Sequence, residues 1–246
     1  MSSVFITGGN SGIGLATAKK FAEEKVNVVI FSVKHSDDVA IKAEIESLGV
    51  KCLLLYGDVS KEDDIKRALS KTIEEFGSLE FAFNNAGIEE IPADLKDKTE
   101  ADYDKIMDTN VKGVWLCMKN QIPLMLKTGG AIVNTSSIAG LVGFEGIPLY
   151  DATKHAVIGL TKTLAIQYAK YGIRINAVCP GVIQTPMIDR FIANNPAIEK
   201  TFKDIHPIGR IGMAEEVAEA VFWLCSKKAS FIVGQALAVD GGMTSK

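Results

Sequence analysis

Tyr150 and Lys154 stand four residues apart in YDATK, thirteen residues after Ser137. On a helix, residues i and i+4 project from one face, so a phenol and an ammonium group can share a site. A free tyrosine titrates near ~10, too high for a good base at neutral pH, and a cation within ~4–6 Å lowers that value. The pair can therefore form a general acid/base unit. The spacing alone also fits an exposed helix pair. Its context is more specific: the other four tyrosines are followed at i+4 by Ser60, Met107, Gly172 and Ile175, and Tyr150 alone has a serine cluster upstream.

A second constellation, TGGNSGIG at 7–14, lies between the apolar run VFIT and the helical pattern LATAKKFAEE. Glycines after a strand permit a tight turn and close approach of a pyrophosphate, while the following helix offers oriented N–H groups. The spacing Gly8-x-x-x-Gly12-x-Gly14 differs from the G-x-G-x-x-G dinucleotide fingerprint. Its position between strand and helix favours nucleotide binding over a plain loop. The histidines His35, His155 and His206 are scattered and read as bland, and no GxSxG surrounds Ser136 or Ser137, so a serine hydrolase is not indicated.

These residues need elements to position them. Seven short apolar runs, at 4–7, 26–31, 52–56, 79–83, 131–135, 174–178 and 236–239, read as buried strands. Helical patterns lie between them near 12–24, 38–48, 62–76, 99–127, 150–171 and 215–226. Strands separated by single helices demand crossover connections, which predicts a doubly wound α/β fold: one parallel seven-stranded sheet with helices on both faces. No linker or repeat interrupts the alternation, so 1–246 is expected to be one domain. The insertion at about 186–213 breaks the rhythm. Met187, Ile188, Phe191, Ile192, Phe202 and Ile205 give it an apolar lining, as expected of a substrate-binding lid.

Composition narrows the function classes. A hydrophobic share of 47% and a charged share of 23% describe an ordinary globular chain. A net charge of −3 with dispersed lysines argues against a nucleic-acid partner. Cys52, Cys117, Cys179 and Cys225 are widely spaced without CxxC or nearby histidines, which suggests buried thiols in a reducing compartment and no metal site. No apolar stretch reaches the ~18 residues of a membrane span, and no signal peptide precedes the first strand, so a cytoplasmic protein with small-molecule partners is expected.

Taken in order, TGGNSGIG, Asp58-Val59, NNAG at 84–87, Asn110, NTSS at 134–137, YDATK and PGVIQT at 180–185 resemble the short-chain dehydrogenase/reductase family nearly end to end. The resemblance implies a single Rossmann domain and an NAD(P)-dependent hydride transfer between nicotinamide and a secondary alcohol or ketone. It gives Ser137 and Tyr150 the reacting oxygen, with Ser136 structural, and lets Lys154 lower the tyrosine pKa and hold ribose hydroxyls. Asn110 would disturb its helix and hold a water linking Lys154 to solvent. The cofactor would be met by Gly8, Asn10, Ser11, Gly12, Ile13 and Gly14, by Asp58 and Val59 at adenine, by Asn85, Ala86 and Gly87 at a ribose, and by Pro180, Gly181, Ile183 and Thr185 at the carboxamide. Asn85 also fits a purely structural turn role.

The second strand ends Phe31-Ser32-Val33-Lys34, without the acid that an NAD enzyme uses to bond a ribose 2′-hydroxyl. Ser32 is neutral and Lys34 can approach a phosphate, which favours NADP(H), with NAD(H) the alternative because Ser11 is not basic. Ala139, Leu141, Val142, Phe144 and Ile147 suggest a hydrophobic or alicyclic substrate. A 3-oxoacyl-thioester reductase and a non-catalytic dinucleotide sensor are the competing readings. Enoyl reduction fits less well, since that branch places its lysine seven residues after tyrosine and residue 157 is Val157. Apolar excess in the helices at 99–127 and 150–171, together with the resemblance, points to a homotetramer.

Overall fold

The computed structural model describes residues 1–245. Strands β1 (Ser3–Thr7), β2 (Asn27–Ser32), β3 (Cys52–Tyr56), β4 (Phe81–Asn84), β5 (Gly130–Thr135), β6 (Ile173–Pro180) and β9 (Ala236–Val239) form one sheet in the order β3-β2-β1-β4-β5-β6-β9, and every pairing is parallel. All seven expected strands are present. Two-residue strands β7 (Ile183–Gln184) and β8 (Gly212–Met213) form a separate parallel pair that the apolar pattern did not announce. They are too short to carry a periodicity, and they close the two ends of the insertion together.

Helices α1 (Gly12–Glu23), α2 (Asp38–Ser47), α3 (Glu62–Phe76), α4 (Glu100–Met107), α5 (Gly113–Met125), α6 (Pro148–Tyr168), α7 (Pro186–Asn194), α8 (Ile198–Asp204) and α9 (Ala214–Cys225) cross between the strands. The fold is thus the doubly wound Rossmann type. Two apolar cores result, one on each sheet face. One gathers Phe21, Ile30, Phe83, Val133 and Val221 under α1, α2 and α9. The other gathers Phe5, Phe31, Met118, Ile132 and Ile175 under α3, α5 and α6. Alternate residues of β1 supply both: Val4 and Ile6 face the first, Phe5 the second. Strands buried on both faces are continuous apolar runs for this reason.

The expected helix over 99–127 is divided. A π-helical turn, Asp108–Lys112, separates α4 from α5 and has buried Asn110 at its centre. The chain order 2-1-4 across the sheet puts the topological switch between β1 and β4, where ligands of open α/β sheets bind at the carboxyl ends of the strands. Thr7, Asn84 and Thr135 end there.

Candidate active site

The glycine turn is fixed by contacts that only it and the loop after β4 can make. Thr7 Oγ1 accepts the N–H groups of Asn85 and Ala86, both at 2.9 Å. The Asn85 amide donates to the carbonyls of Thr7 and Gly8, each at 3.2 Å, and its Oδ1 accepts the Thr135 hydroxyl at 3.3 Å. Asn85 thus takes up the structural role that its position allowed. Gly8 has φ +62°, and a Cβ on Gly14 would stand 2.1 Å from the Gly8 carbonyl oxygen, so backbone occupies the space of a side chain. α1 starts at Gly12, and Ser11 before it makes no side-chain cap, leaving the first-turn N–H groups directed at the end of the sheet. Ile13 packs partly against the core.

The remaining nucleotide positions separate into four groups. Asn10 is buried and its amide donates to the Val33 carbonyl at 3.0 Å and to Asp38 at 3.1 Å, so its side chain braces the β2–α2 loop instead of pointing toward a ligand. Ser32 is buried with a hydroxyl that has no protein partner, while Lys34 is exposed beside it. Asp58 is exposed, with one carboxylate oxygen accepting the Ser60 N–H, and Val59 is buried. At the other end Pro180 closes β6, Gly181 donates to the Val239 carbonyl, Ile183 is buried and the Thr185 hydroxyl donates to the Ile183 carbonyl. Gly12 and Thr185 meet, since a Cβ on the glycine would lie 3.2 Å from the threonine methyl carbon. A backbone cradle, an uncapped helix start and an orphaned buried hydroxyl fit a dinucleotide.

Ser137, Tyr150 and Lys154 are brought to one place by β5 and α6. The Ser136 hydroxyl donates to the Lys154 carbonyl at 2.9 Å, which makes Ser136 the strut between the two elements, while Ser137 Oγ accepts the Ala139 N–H at 3.1 Å. The Ser137 side chain stands near enough to the Tyr150 phenol to oppose its upward pKa shift. Lys154 Nζ donates to the Thr135 carbonyl at 3.0 Å and lies 5.3 Å from the Tyr150 ring centroid. Asn110 holds the loop after β4: its Oδ1 accepts the Ile88 N–H at 2.9 Å, and its amide donates to the Ile88 carbonyl at 3.0 Å and to Thr153 at 3.3 Å. Gly87 sits between them, with the space of its absent Cβ 3.2 Å from Asn110 Oδ1 and 3.7 Å from Lys154 Nζ.

Known proteins resemble this chain over nearly its whole length. The family model described as Enoyl-(Acyl carrier protein) reductase matches residues 8–244. The chain is 41% identical over 245 residues to 2,5-dichloro-2,5-cyclohexadiene-1,4-diol dehydrogenase of Sphingobium indicum, covering 99% of this chain and 97% of that protein. The chain is a short-chain dehydrogenase/reductase. It is also 41% identical to cyclohexanol dehydrogenase of an Acinetobacter species, covering 98% of this chain and 94% of the relative. The solved structure described as ElxO with NADP bound superposes with a TM-score of 0.93 at 36% identity, covering 100% of this chain and 99% of that one. This short-chain dehydrogenase/reductase is an NAD(P)-dependent oxidoreductase of the secondary alcohol and ketone type, and the sensor reading is set aside.

The electrostatics of this short-chain dehydrogenase/reductase depart from the expectation that Lys154 lowers the tyrosine. Burial pushes Tyr150 up to about 12, the Ser137 side chain opposes that rise, and the charges of Glu89 and Asp151 add to it. Burial also pushes Lys154 down to about 8. The ammonium faces the Tyr150 ring and donates to the Thr135 carbonyl. The Asn110 side chain is bonded to Ile88 and Thr153 at the centre of the π-turn.

Two further residues were not read from the sequence. His206, taken as bland, is buried and spans the insertion: its Nδ1 meets the Phe202 carbonyl at 2.6 Å and its Nε2 accepts the Val182 N–H at 3.1 Å. Glu90 is also buried and accepts the Tyr150 N–H at 2.7 Å. Neither lies in an apolar run, so nothing local in the sequence marked their burial.

Proposed function

We propose that the protein reduces a hydrophobic or alicyclic ketone, or oxidises the corresponding secondary alcohol, with NADP(H) preferred. The convergence of Ser137, Tyr150 and Lys154 at the carboxyl end of β5 carries this reading. In reduction the Tyr150 phenol gives its proton to the substrate oxygen while the Ser137 hydroxyl donates a second hydrogen bond to the developing negative charge. The bound nicotinamide supplies or accepts the hydride. Lys154 holds ribose hydroxyls beside Tyr150, and the π-turn at Asn110 holds the water that returns a proton toward Lys154.

The Gly8–Gly14 turn and the start of α1 take the pyrophosphate, Asp58 and Val59 the adenine, the 85–87 turn a ribose, and Ile183 and Thr185 the carboxamide. Ser32 and Lys34 receive the 2′-phosphate. Support for NADP(H) comes from the unpartnered Ser32 hydroxyl and exposed Lys34 at the end of β2, and from the NADP bound in ElxO. Support for an alicyclic substrate comes from the similar cyclohexadienediol and cyclohexanol dehydrogenases. The half-buried Met187, Ile188, Phe191 and Ile192 of α7 support reading the insertion as a substrate lid.

The same reading takes the chain as a cytoplasmic homotetramer. Trp115 on α5 and Ile166 on α6 stand exposed on neighbouring helices, a surface suited to pairing about a two-fold axis. Among the described residues no helix is long and apolar enough to cross a membrane, and the four cysteines are free and buried. The deciding assay follows NADPH and NADH oxidation with cyclic ketones, linear ketones and a 3-oxoacyl thioester. Turnover of cyclic ketones in preference to the other two is expected, and a preference for the thioester would replace this reading with the acyl-reductase one.

A further inference from the structure

We propose that Glu90 is a positioning residue for the reaction, a carboxylate that caps the catalytic helix from a distant loop and so fixes the tyrosine. This rests on the reading of Tyr150 as the proton donor. The first turn of any helix has N–H groups without intrahelical partners, usually satisfied by a side chain just before it. α6 begins at Pro148, and the preceding residue is Ile147, which cannot cap. The missing acceptor comes from sixty residues upstream. Glu90 Oε2 accepts the N–H of Tyr150 itself at 2.7 Å.

The rest of the arrangement holds that carboxylate still. Glu90 Oε1 stands 2.8 Å from Lys98 Nζ, and both side chains are less than a tenth exposed, at 5% and 8%. Lys98 Nζ also donates to the Ile91 carbonyl at 2.5 Å, which closes residues 90–98 into a braced loop. Asn110 anchors the start of the same loop at Ile88. Glu89 pairs with Arg190 of α7 at 2.6 Å, so the insertion is tied to it as well.

A buried ion pair is a costly way to cap a helix, because desolvation of two charges offsets their attraction. A serine at 147 would satisfy the N–H locally. What the Glu90 cap adds is a rigid connection between the backbone of Tyr150 and the loop that continues from the ribose-side turn at Gly87. A displacement of about 1 Å at a reacting group can lower turnover on the order of 100-fold. The helix dipole favours the negative charge at this end.

The test compares two double variants in the full-length protein, Glu90→Gln/Lys98→Met and Glu90→Leu/Lys98→Met. Both remove the buried ion pair, and only the first keeps an acceptor oxygen for the Tyr150 N–H. Turnover of ketone, KM, NADPH dissociation constant and melting temperature are measured, with Tyr150→Phe alongside. The glutamine variant is expected to keep kcat within about threefold of wild type, and the leucine variant to lose about 10- to 100-fold in kcat with KM and NADPH binding within about twofold. Equal kcat in the two variants would overturn the proposal, as would a loss in the leucine variant that appears equally in NADPH binding. Wild-type turnover in Tyr150→Phe would remove the reading beneath it, and the inference with it.

Discussion

The Lys154 ammonium lies 5.3 Å from the centroid of the Tyr150 ring while donating to the Thr135 carbonyl at 3.0 Å. The cation therefore rests against the ring face and β5. Burial moves the two groups toward their neutral forms, Tyr150 up to about 12 and Lys154 down to about 8. The protein alone presents a phenol ready to give a proton.

Tyr150→Phe removes that proton and leaves the ring in place. Turnover is expected to fall by ~10²–10⁴, the usual cost of losing a positioned acid/base, with NADPH affinity unchanged in a fluorescence titration. Wild-type ketone reduction by this variant would reassign the proton donor.

The two directions of the reaction should differ in pH dependence. Alcohol oxidation needs the phenolate, so its rate rises with pH throughout the alkaline range below about 12. Ketone reduction keeps its phenol there and weakens only as Lys154 loses its proton, from about pH 8 upward. Initial-rate profiles in both directions test this, and a reductive rate that still climbs at pH 9 would contradict it.

Lys154 also bears on stability. In the unfolded chain it keeps its proton to 10.5, and in the folded protein it loses it near 8. Below pH 8 both states are charged and the burial penalty is present in full; between 8 and 10.5 only the unfolded state holds the proton, so this contribution to stability rises with pH. Lys154→Met is expected to stabilise the fold at pH 7 by about 0.5–2.5 kcal/mol, the shift less the cost of the abandoned Thr135 carbonyl, while turnover falls. Melting curves at pH 7 and pH 10 check it, with the gain shrinking at the higher pH.

Cofactor choice is expected to turn on the end of β2. Lys34→Ala should weaken NADPH about ten- to a hundredfold, as a lost charge-assisted hydrogen bond of roughly 1–3 kcal/mol, and hardly alter NADH. Ser32→Asp should reverse the preference by repelling the 2′-phosphate and bonding a ribose hydroxyl. The dissociation constants of both dinucleotides decide the matter, and tighter NADH binding in the wild type would refute it.

Light scattering at micromolar concentration should report four subunits, and Ile166→Arg, at a position 81% exposed on α6, should reduce that mass. A monomeric wild type would exclude the assembly.

The sequence by itself determined the strands, the crossover helices and the local constellations. Continuous apolar runs reveal strands buried on both faces, and a four-residue spacing on one helix keeps Tyr150 and Lys154 together whatever the rest of the chain does. The TGGNSGIG turn is local only in part: its glycines permit the conformation, and Asn85 from the loop after β4 holds it. Tertiary structure decided what depends on assembly. Only the sheet order brings Glu90 beneath the first turn of α6, and only the packed insertion turns His206 into a bridge between Phe202 and Val182. Asn10 could be read as a ligand contact until the fold set Asp38 beside it, and Lys154 as a simple cation until its neighbours excluded water. Contacts between distant segments and the depth of burial have no local signature, because both arise from layers that exist only once the sheet and its helices have closed on one another.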